Sequence, residues 1–388
     1  LLRRQVTVSD VSIERPLLQL RAMDSTSYSL PYALKRIEPR NAQQNDLLSS
    51  VEIVAPQLNI NNGRFEIDQR LDASPIKNLP SEFTMDSINI DMFVDMGRKQ
   101  RFYDIEQFQF SLPEISPQMV SLSGQVFNDS SKLEFNGFNL QIGVNRAELT
   151  GTIDGLDLYE RNWESQFKRA SYNLDLDTEF EDISSWSALF TGNALELKHP
   201  LVIALSLEGD LDELQLRKTE IKYNDSRFAV SGTVNEILEK EIPDYSLEVL
   251  PSTIVLRDIS QILSQTSIST GRIARWPKTE MHGSIQGSAN MLEGNVELSS
   301  TAGKVDLTLD GRYADEFLYR ASANVDHLNL APFLRSTQDS TSLNGIFVLE
   351  GDGFNWKEGV HQLRADLFDS YMLKNGVDAI TLSASLNN

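Results

Sequence analysis

The chain has 388 residues, of which 40% are hydrophobic and 23% charged, so it has enough apolar side chains to fold and is not a disordered tail. Its 56 acidic and 35 basic residues give a formal net charge of −21, which argues against nucleic acid as a partner because phosphate binding needs clustered Lys and Arg. There is no cysteine, which excludes disulfides, thiolate metal sites and cysteine nucleophiles.

The ends of the sequence carry no anchor or targeting signal. No apolar run approaches the ~18 residues needed to span a bilayer, and no signal-peptide pattern is present. Both ends alternate polar and apolar residues, as strands do. We therefore expect the segment to be cut from a longer protein, with any membrane contact made through termini outside it.

Short strands are predicted at the start of the chain. Residues 5–20 alternate polar and apolar side chains, with a change of face near Asp10 that is typical of a bulge and a break at Arg15-Pro16. Residues 24–46 are rich in Ser, Pro, Asn and Gln, which predicts a loop.

A β-hairpin is predicted at Asn62-Gly63. This dipeptide lies between two alternating runs, and Asn-Gly is the preferred sequence of a two-residue hairpin turn. The turn would pair Ile60 with Phe65 and Leu58 with Ile67, so that every apolar residue falls on one face.

The rest of the chain alternates in the same way, and three segments read as helical turns. Helical starts are predicted at Asp182 and Asp258, where an acidic or Ser residue could cap the helix, and a helical turn at 328–334. The strands are predicted at 83–94, 102–112, 119–127, 132–135, 138–144, 147–153, 171–180, 201–208, 214–222, 227–234, 245–256, 281–289, 292–299, 303–313 and 317–326, with more from 343.

The strands are grouped in repeated blocks. Gly151, Gly232 and Gly311 follow similar alternating runs and are separated by 81 and 79 residues, which predicts a β-rich module of about 80 residues that ends in a short helix. The predicted divisions are a partial module with a loop (1–50), a hairpin-containing block (51–118), three repeats (119–200, 201–280 and 281–342) and the start of another (343–388).

The pattern fits two all-β arrangements: an elongated, strongly curved antiparallel sheet that forms an open hydrophobic groove, or ordinary β domains in which the same residues form a dry core. A sandwich or a barrel would also bury one apolar face per strand, but neither naturally gives this period. Runs such as Ile346-Phe347-Val348-Leu349 leave open which side faces inward. The predicted groove-lining residues are Leu58, Ile60, Phe65, Ile67, Ile203, Leu205, Leu207, Phe228, Val230, Val305, Leu307 and Leu309.

Several segments resemble a known family. They are PQLNINNGRFEID (56–68), AELTGTIDGLDL (147–158), FAVSGTV (228–234) and LNGIFVLEGDGFN (343–355). Together with the strand blocks that end in Asp-Ile-Ser or Leu-Asn-Leu, they resemble the AsmA-like superfamily, and most of all its TamB branch.

The resemblance implies a function in the envelope of a Gram-negative bacterium. It implies an open, taco-like β-groove, which is the fold we predict. The groove would belong to a periplasmic bridge that carries phospholipid acyl chains between inner and outer membranes and supports outer-membrane biogenesis. A barrel protein of the outer membrane would be a partner through regions outside this segment. Such a groove suits lipid transport because exposing an acyl chain costs about 0.8 kcal/mol per CH₂.

No catalytic or metal-binding pattern stands out, so we expect no enzyme activity, cofactor or metal. The four histidines lack ligand spacing, and the two Ser-x-x-Lys matches lack companion motifs. The run 175–179 resembles a calcium loop without its glycine, and its alternation is typical of the wet face of a strand.

Two other functions fit an all-β chain of this kind. A scaffold or chaperone for outer-membrane β-barrel assembly would offer exposed strand edges to incoming strands. A polysaccharide-binding solenoid would need coils of about 20–25 residues, and these are not found.

Overall fold

The computed structural model describes residues 5–7, 10–24, 27–28, 52–68, 82–96, 100–113, 116–129, 131–157, 163–184, 196–240, 242–263, 276–313, 317–331, 341–352, 360–372 and 375–387. These residues form 22 strands and two short helices, so the chain is all-β, as predicted. It divides into two compact units, unit 1 (Leu1–Ala194) and unit 2 (Leu195–Asn388). Within each unit, neighbouring strands pair in a mainly antiparallel sheet that does not close on itself, which confirms the predicted all-β fold with an open sheet.

Unit 1 is built from long neighbouring strands with one short helix between the last two. Each strand from the fifth to the tenth pairs antiparallel with the next along the chain. The elements are β1 (Gln5–Thr7), β2 (Val11–Glu14), β3 (Leu17–Asp24), β4 (Ser27–Tyr28), β5 (Glu52–Asp68), β6 (Glu82–Met96), β7 (Gln100–Leu112), β8 (Ser116–Asp129), β9 (Lys132–Ile142), β10 (Asn145–Asp154), α1 (Trp163–Phe167) and β11 (Ser171–Phe180).

The first three strands form one interrupted strand along the free side of β5. Each of them pairs with β5 in parallel, at successive positions along it. Arg15 has a φ of 51° and is followed by Pro16, which breaks the run between β2 and β3. The antiparallel pattern that the sequence predicts therefore has an exception at this side of the sheet.

The predicted hairpin at Asn62-Gly63 is wrong, because β5 runs through it without turning. Backbone hydrogen bonds from Arg15 N to Asn61 O and from Arg64 N to Pro16 O, both 2.8 Å, hold this stretch in line with β2 and β3. Asn62 has a φ of 52° and forms a β-bulge opposite β6. Asn tolerates the left-handed backbone that both a turn and a bulge require, so the local sequence suits either.

Unit 2 is an uninterrupted antiparallel meander, in which every strand pairs with the next. Its one described helix lies in the connection between the fourth and fifth strands. The elements are β12 (Leu201–Gly209), β13 (Glu213–Tyr223), β14 (Ser226–Asn235), β15 (Asp244–Ile254), α2 (Leu256–Leu263), β16 (Thr279–Ser288), β17 (Met291–Ser300), β18 (Gly303–Tyr313), β19 (Phe317–Leu328), β20 (Leu343–Asp352), β21 (Val360–Met372) and β22 (Asn375–Asn387).

The connections of this meander alternate between two rims of the sheet. The first rim holds the connections β12–β13, β14–β15, β16–β17, β18–β19 and β20–β21, and the second rim holds the others. The β15–β16 and β19–β20 connections both fall on the second rim because four strands separate them.

Helix α2 starts where the sequence predicts a helix, and Asp258 anchors it. The Asp258 carboxylate is fully buried and accepts hydrogen bonds from Asn224 Nδ2 (2.9 Å), Asp225 N (3.1 Å) and Ser226 Oγ (3.1 Å). These donors belong to the β13–β14 turn, so the carboxylate fastens the helix to the second rim.

The other predicted helices are only partly visible. Ser184 N donates a hydrogen bond of 2.9 Å to Asp182, as at a helix start, but residues 185–195 lie outside the described part. Leu328 ends β19 instead of opening a helical turn, and residues 332–340 lie outside the described part. The short helix α1 was not predicted.

The repeated glycines have two structural roles. Gly151 and Gly232 have φ values of 130° and 145°, and a Cβ atom on either would lie 2.0–2.1 Å from a carbonyl oxygen of the next strand. Gly311 instead lies under the Phe317 ring, where a Cβ atom would come within 2.6 Å of a ring carbon. Gly151 and Gly232 thus share a backbone role, whereas Gly311 is required by side-chain packing.

Candidate functional site: the apolar face of the sheet

One face of unit 2 carries a continuous central row of apolar side chains. Directly opposed residues in neighbouring strands point to the same face, so the register traces rows across the sheet. The central row crosses all eleven strands and consists of Leu205, Thr219, Val230, Val249, Gly283, Val296, Leu307, Ala323, Phe347, Ala365 and Leu382.

A second apolar row runs beside the central row on the same face. Thr219 is the one polar side chain in the two rows, so together they form an apolar strip. The second row consists of Leu207, Leu216, Gly232, Leu247, Ile285, Gly294, Leu309, Ala321, Leu349, Leu363 and Ala384.

The other face of unit 2 is polar in the corresponding rows. This contrast is what period-2 alternation produces when one face meets an apolar environment and the other meets water. One such row consists of Glu208, Gln215, Thr233, Ser246, Gln286, Glu293, Asp310, Arg320, Glu350, Gln362 and Ser385.

The apolar strip remains partly accessible. Val230 and Val249 are buried, but most residues of the two rows are half-buried, and Leu363 and Leu382 are 43% and 50% exposed. A second sheet packed against this face would bury its side chains almost completely, as in the core of a sandwich. The exposure indicates an open face that could receive an apolar ligand.

All eight residues predicted to line the groove in unit 2 lie on this face. Five of them, Leu205, Leu207, Val230, Leu307 and Leu309, belong to the two rows just traced. Ile203 and Phe228 face each other through Ile221, and Val305 pairs with Val325, one position further toward the second rim.

The four residues predicted in unit 1 also share one face, although no hairpin joins them. The bulge at Asn62 adds one residue between Ile60 and Phe65, which keeps the two side chains on the same side. From Ile60 the row continues through Ile90, Phe108, Leu122, Leu140 and Ala147. Leu58 and Ile67 lie opposite Met92 and Phe83 on β6.

The same face of unit 1 includes a packed cluster that the sequence prediction did not name. Phe110, Val120 and Ile142 are buried together, with Met85, Ile88 and Leu112 among the residues packed on them. Alternation of polar and apolar residues in β7–β9 places these side chains on one face, but it does not predict which of them pack against each other.

The second rim of the apolar face in unit 2 is partly covered. Trp276 packs on a cluster of Val325, Leu328 and Leu343, and its Nε1 donates a hydrogen bond of 2.8 Å to Thr279 Oγ1. The indole therefore covers the apolar face at the second rim, between β16 and β20.

Polar aromatic side chains lie on the face near the first rim. Tyr319 and His361 lie on either side of Gly351, and Tyr319 Oη is 3.0 Å from His361 Nδ1. Burial, followed by the charge of Asp352, raises the pKa of Tyr319.

A buried carboxylate stabilises the polar face of unit 2. Glu220 is 5% exposed, and its carboxylate contacts Arg227, Lys218 (3.2 Å) and Lys222 (3.4 Å). Burial alone raises the pKa of this carboxyl, but hydrogen bonds from Arg227 and Lys218 and the charge of Lys222 outweigh it and lower the pKa to about 2.

Glu220→Gln should destabilise unit 2 most at neutral pH. Because the folded-state pKa lies below the ordinary value of 4.5, the carboxylate stabilises the fold fully above pH 4.5, and this contribution is lost as the pH falls toward 2. The free energies of unfolding of the wild type and of Glu220→Gln, measured with urea across this pH range, should converge at low pH. Glu248→Gln, an exposed position on the same face, is the control. A difference in stability between Glu220→Gln and the wild type that did not change with pH would contradict the stabilising role of the carboxylate.

The described residues include no group of three or more His, Cys, Asp or Glu side chains placed to hold a metal ion. In the same part of the chain, no helix is both long enough and apolar enough to cross a membrane.

Comparisons with known proteins identify no family for this chain, so it is classified by its fold. No protein-family model matches the sequence, and no curated protein or solved structure matches it significantly. The structure defines the class: an all-β protein of open, mainly antiparallel sheet structure, with one apolar and one polar face in unit 2.

Proposed function

We propose that this chain carries lipid acyl chains along the apolar face of its sheet. The observation that supports the proposal is the pair of half-exposed apolar rows in unit 2, which cross eleven strands with Thr219 as their one polar side chain. At about 4.8 Å per strand, such a strip is on the order of 50 Å long.

The energetics of the strip suit a lipid better than a small polar ligand. Each CH₂ group moved from water to the strip gains about 0.8 kcal/mol, so a sixteen-carbon chain gains up to roughly 12 kcal/mol. The strip presents aliphatic side chains without a fixed set of hydrogen-bonding groups, so it would bind chains of different lengths and could let them slide.

The proposal extends to a place in the cell. The resemblance to the AsmA-like superfamily supports a segment of a periplasmic bridge between the two membranes of a Gram-negative bacterium, with phospholipid as cargo and outer-membrane biogenesis as outcome. Contact with membranes, or with a barrel protein of the outer membrane, would be made by other parts of such a bridge. The proposal includes no enzyme activity, cofactor or nucleic acid.

Lipid loading tests the proposal directly. Protein purified from membranes in mild detergent should carry phospholipid detectable by mass spectrometry after extraction. Delipidated protein should take up a phospholipid with a fluorescent acyl chain from vesicles. A folded, delipidated protein that neither retains nor takes up lipid would exclude the function.

A second candidate function is assistance in outer-membrane β-barrel assembly. It is favoured by β22, a 13-residue strand that pairs on one side with β21 and has no partner on its other side among the described residues. An edge of this length could receive an incoming strand. Cross-linking from β22 to nascent barrel proteins, unaffected by charges placed in the apolar strip, would favour this candidate over lipid transport.

A further inference from the structure

The two rims of unit 2 differ in charge along the section from β12 to β19. On the first rim, the described residues include seven carboxylates and two cations, Lys240 and Arg312. Both cations are already paired, Lys240 with Glu236 and Asp244 and Arg312 with Asp310. The seven carboxylates are those of Glu208, Asp210, Asp212, Glu213, Glu236, Glu239 and Asp244.

Along the same section, the second rim carries more cations than carboxylates. Its five described carboxylates are Glu196, Asp225, the buried Asp258, Glu280 and Asp326. The six cations are Lys198, Lys222, Arg227, Arg257, Lys278 and Lys304.

Half of these cations are held by carboxylates. Arg227 and Lys222 contact Glu220, and Arg257 lies 3.8 Å from Asp225. The exposed Lys198, Lys278 and Lys304 have no carboxylate within 4.0 Å among the described residues. These three lysines lie at the starts of β12, β16 and β18. Lys304 is opposite Asp326 in the register and on the polar side of β18, so an anion would reach it at the edge of the sheet.

The separation of the rims makes this difference matter to a bound lipid. A strand of ten residues spans about 33 Å, whereas charges are screened over about 8 Å at physiological ionic strength. A phosphate at one rim therefore responds to the charges of that rim and hardly to those of the other. In a chain of net charge −21, a rim with unpaired lysines is a local exception.

We propose that unit 2 binds anionic phospholipids in one orientation, with acyl chains on the apolar strip and the headgroup phosphate at the second rim, close to Lys278 and Lys304. The first rim repels the phosphate. This inference rests on the proposed function and adds to it a headgroup preference and a direction across the sheet.

Strand β17 offers a matched pair of probe positions. Ala289 and Thr301 are exposed in the turns at its two ends, on the first and second rim respectively. The chain has no native cysteine, so Ala289→Cys and Thr301→Cys each give a single labelling site for a fluorophore. Each labelled protein is loaded with phosphatidylglycerol that carries a nitroxide quencher, either on the headgroup or at the end of an acyl chain.

The headgroup nitroxide should quench the fluorophore at position 301 several-fold more than the one at 289. The acyl-chain nitroxide should not show this preference. Equal quenching at the two positions, or stronger quenching at 289, would overturn the orientation while leaving lipid transport in place. Protein that takes up neither lipid would instead count against the proposed function itself.

Charge reversal tests the lysines. The double variant Lys278→Glu with Lys304→Glu should lower the ratio of phosphatidylglycerol to phosphatidylethanolamine taken up from mixed vesicles several-fold, with total lipid nearly unchanged. Arg312→Glu with Arg320→Glu makes the same change in charge at the first rim and on the polar face, and should leave the ratio as in the wild type. An unchanged ratio in the lysine variant would refute the headgroup preference.

Discussion

Gly232→Ala should destabilise unit 2 by about 3–5 kcal/mol, a large effect for the addition of one methyl group. Gly232 has a φ of 145°, a backbone conformation that residues with a Cβ rarely adopt. The added Cβ would lie 2.1 Å from Ser246 O and 2.8 Å from Leu247 Cα, both in the backbone of β15. The clash can therefore be relieved only if β14 and β15 move apart. Urea and thermal unfolding measure the resulting loss of stability.

The same row provides a matched control. Gly294, in β17, has no positive φ, and the atom nearest to an added Cβ is Ser284 O at 3.4 Å. Gly294→Ala should therefore change stability by less than about 1 kcal/mol. If the two variants were equally stable, the positive φ and close approach at Gly232 would not be needed for the sheet.

Leu307→Asp should reduce lipid loading by about 30-fold or more. Leu307 lies in the central apolar row, and a carboxylate there would lose hydration whenever an acyl chain covered it. That penalty is about 2 kcal/mol or more, which corresponds to the stated loss of affinity. The measurement is uptake of fluorescent phospholipid by delipidated protein, with circular dichroism to establish that the fold is kept.

Thr308→Asp is the control for this variant, because Thr308 is the next residue of β18 and is exposed on the polar face. It should load lipid as the wild type does. Leu363→Asp provides a second test at a position that is already 43% exposed and is less prone to disturb folding. Normal loading of a folded Leu363→Asp and Leu307→Asp would mean that lipid does not use the apolar face.

Alternation along the sequence was sufficient to predict the fold class and the sides of the strands. Leu205, Leu307 and Leu309 were assigned to one face without knowledge of their partners, and the register places them there. The run from Ile346 to Leu349 could not be assigned, since both of its sides are apolar. Pairing with Ala321 and Ala323 turns Leu349 and Phe347 inward.

The error at Asn62-Gly63 has a physical cause. A turn and a bulge both need a left-handed residue, and both keep Ile60 and Phe65 on one face, so alternation cannot separate them. The presence of β2 and β3 decides in favour of the bulge. These strands pair with β5 on either side of it, although more than 40 residues separate the paired positions in the sequence. Non-local pairing of this kind leaves no local signal.

The charge difference between the rims could not be read from the sequence either. The charged residues near the turns separate into two rims only when every strand is counted and paired. Glu220 was missed for a related reason. It occupies a polar-face position by alternation. Its burial depends on Lys218, two residues away in the same strand, and on Arg227, which the register brings beside it.

The interrupted strand formed by β1, β2 and β3 has a consequence for solubility. A long, straight edge of unpaired backbone would invite other copies of the protein to add strands and grow into fibrils. Here the edge of unit 1 beside β5 is divided by the left-handed Arg15 and by Pro16, which has no N–H to donate. Such an edge is a poor template for polymerisation, which protects a protein with so much β-structure from aggregating through this side.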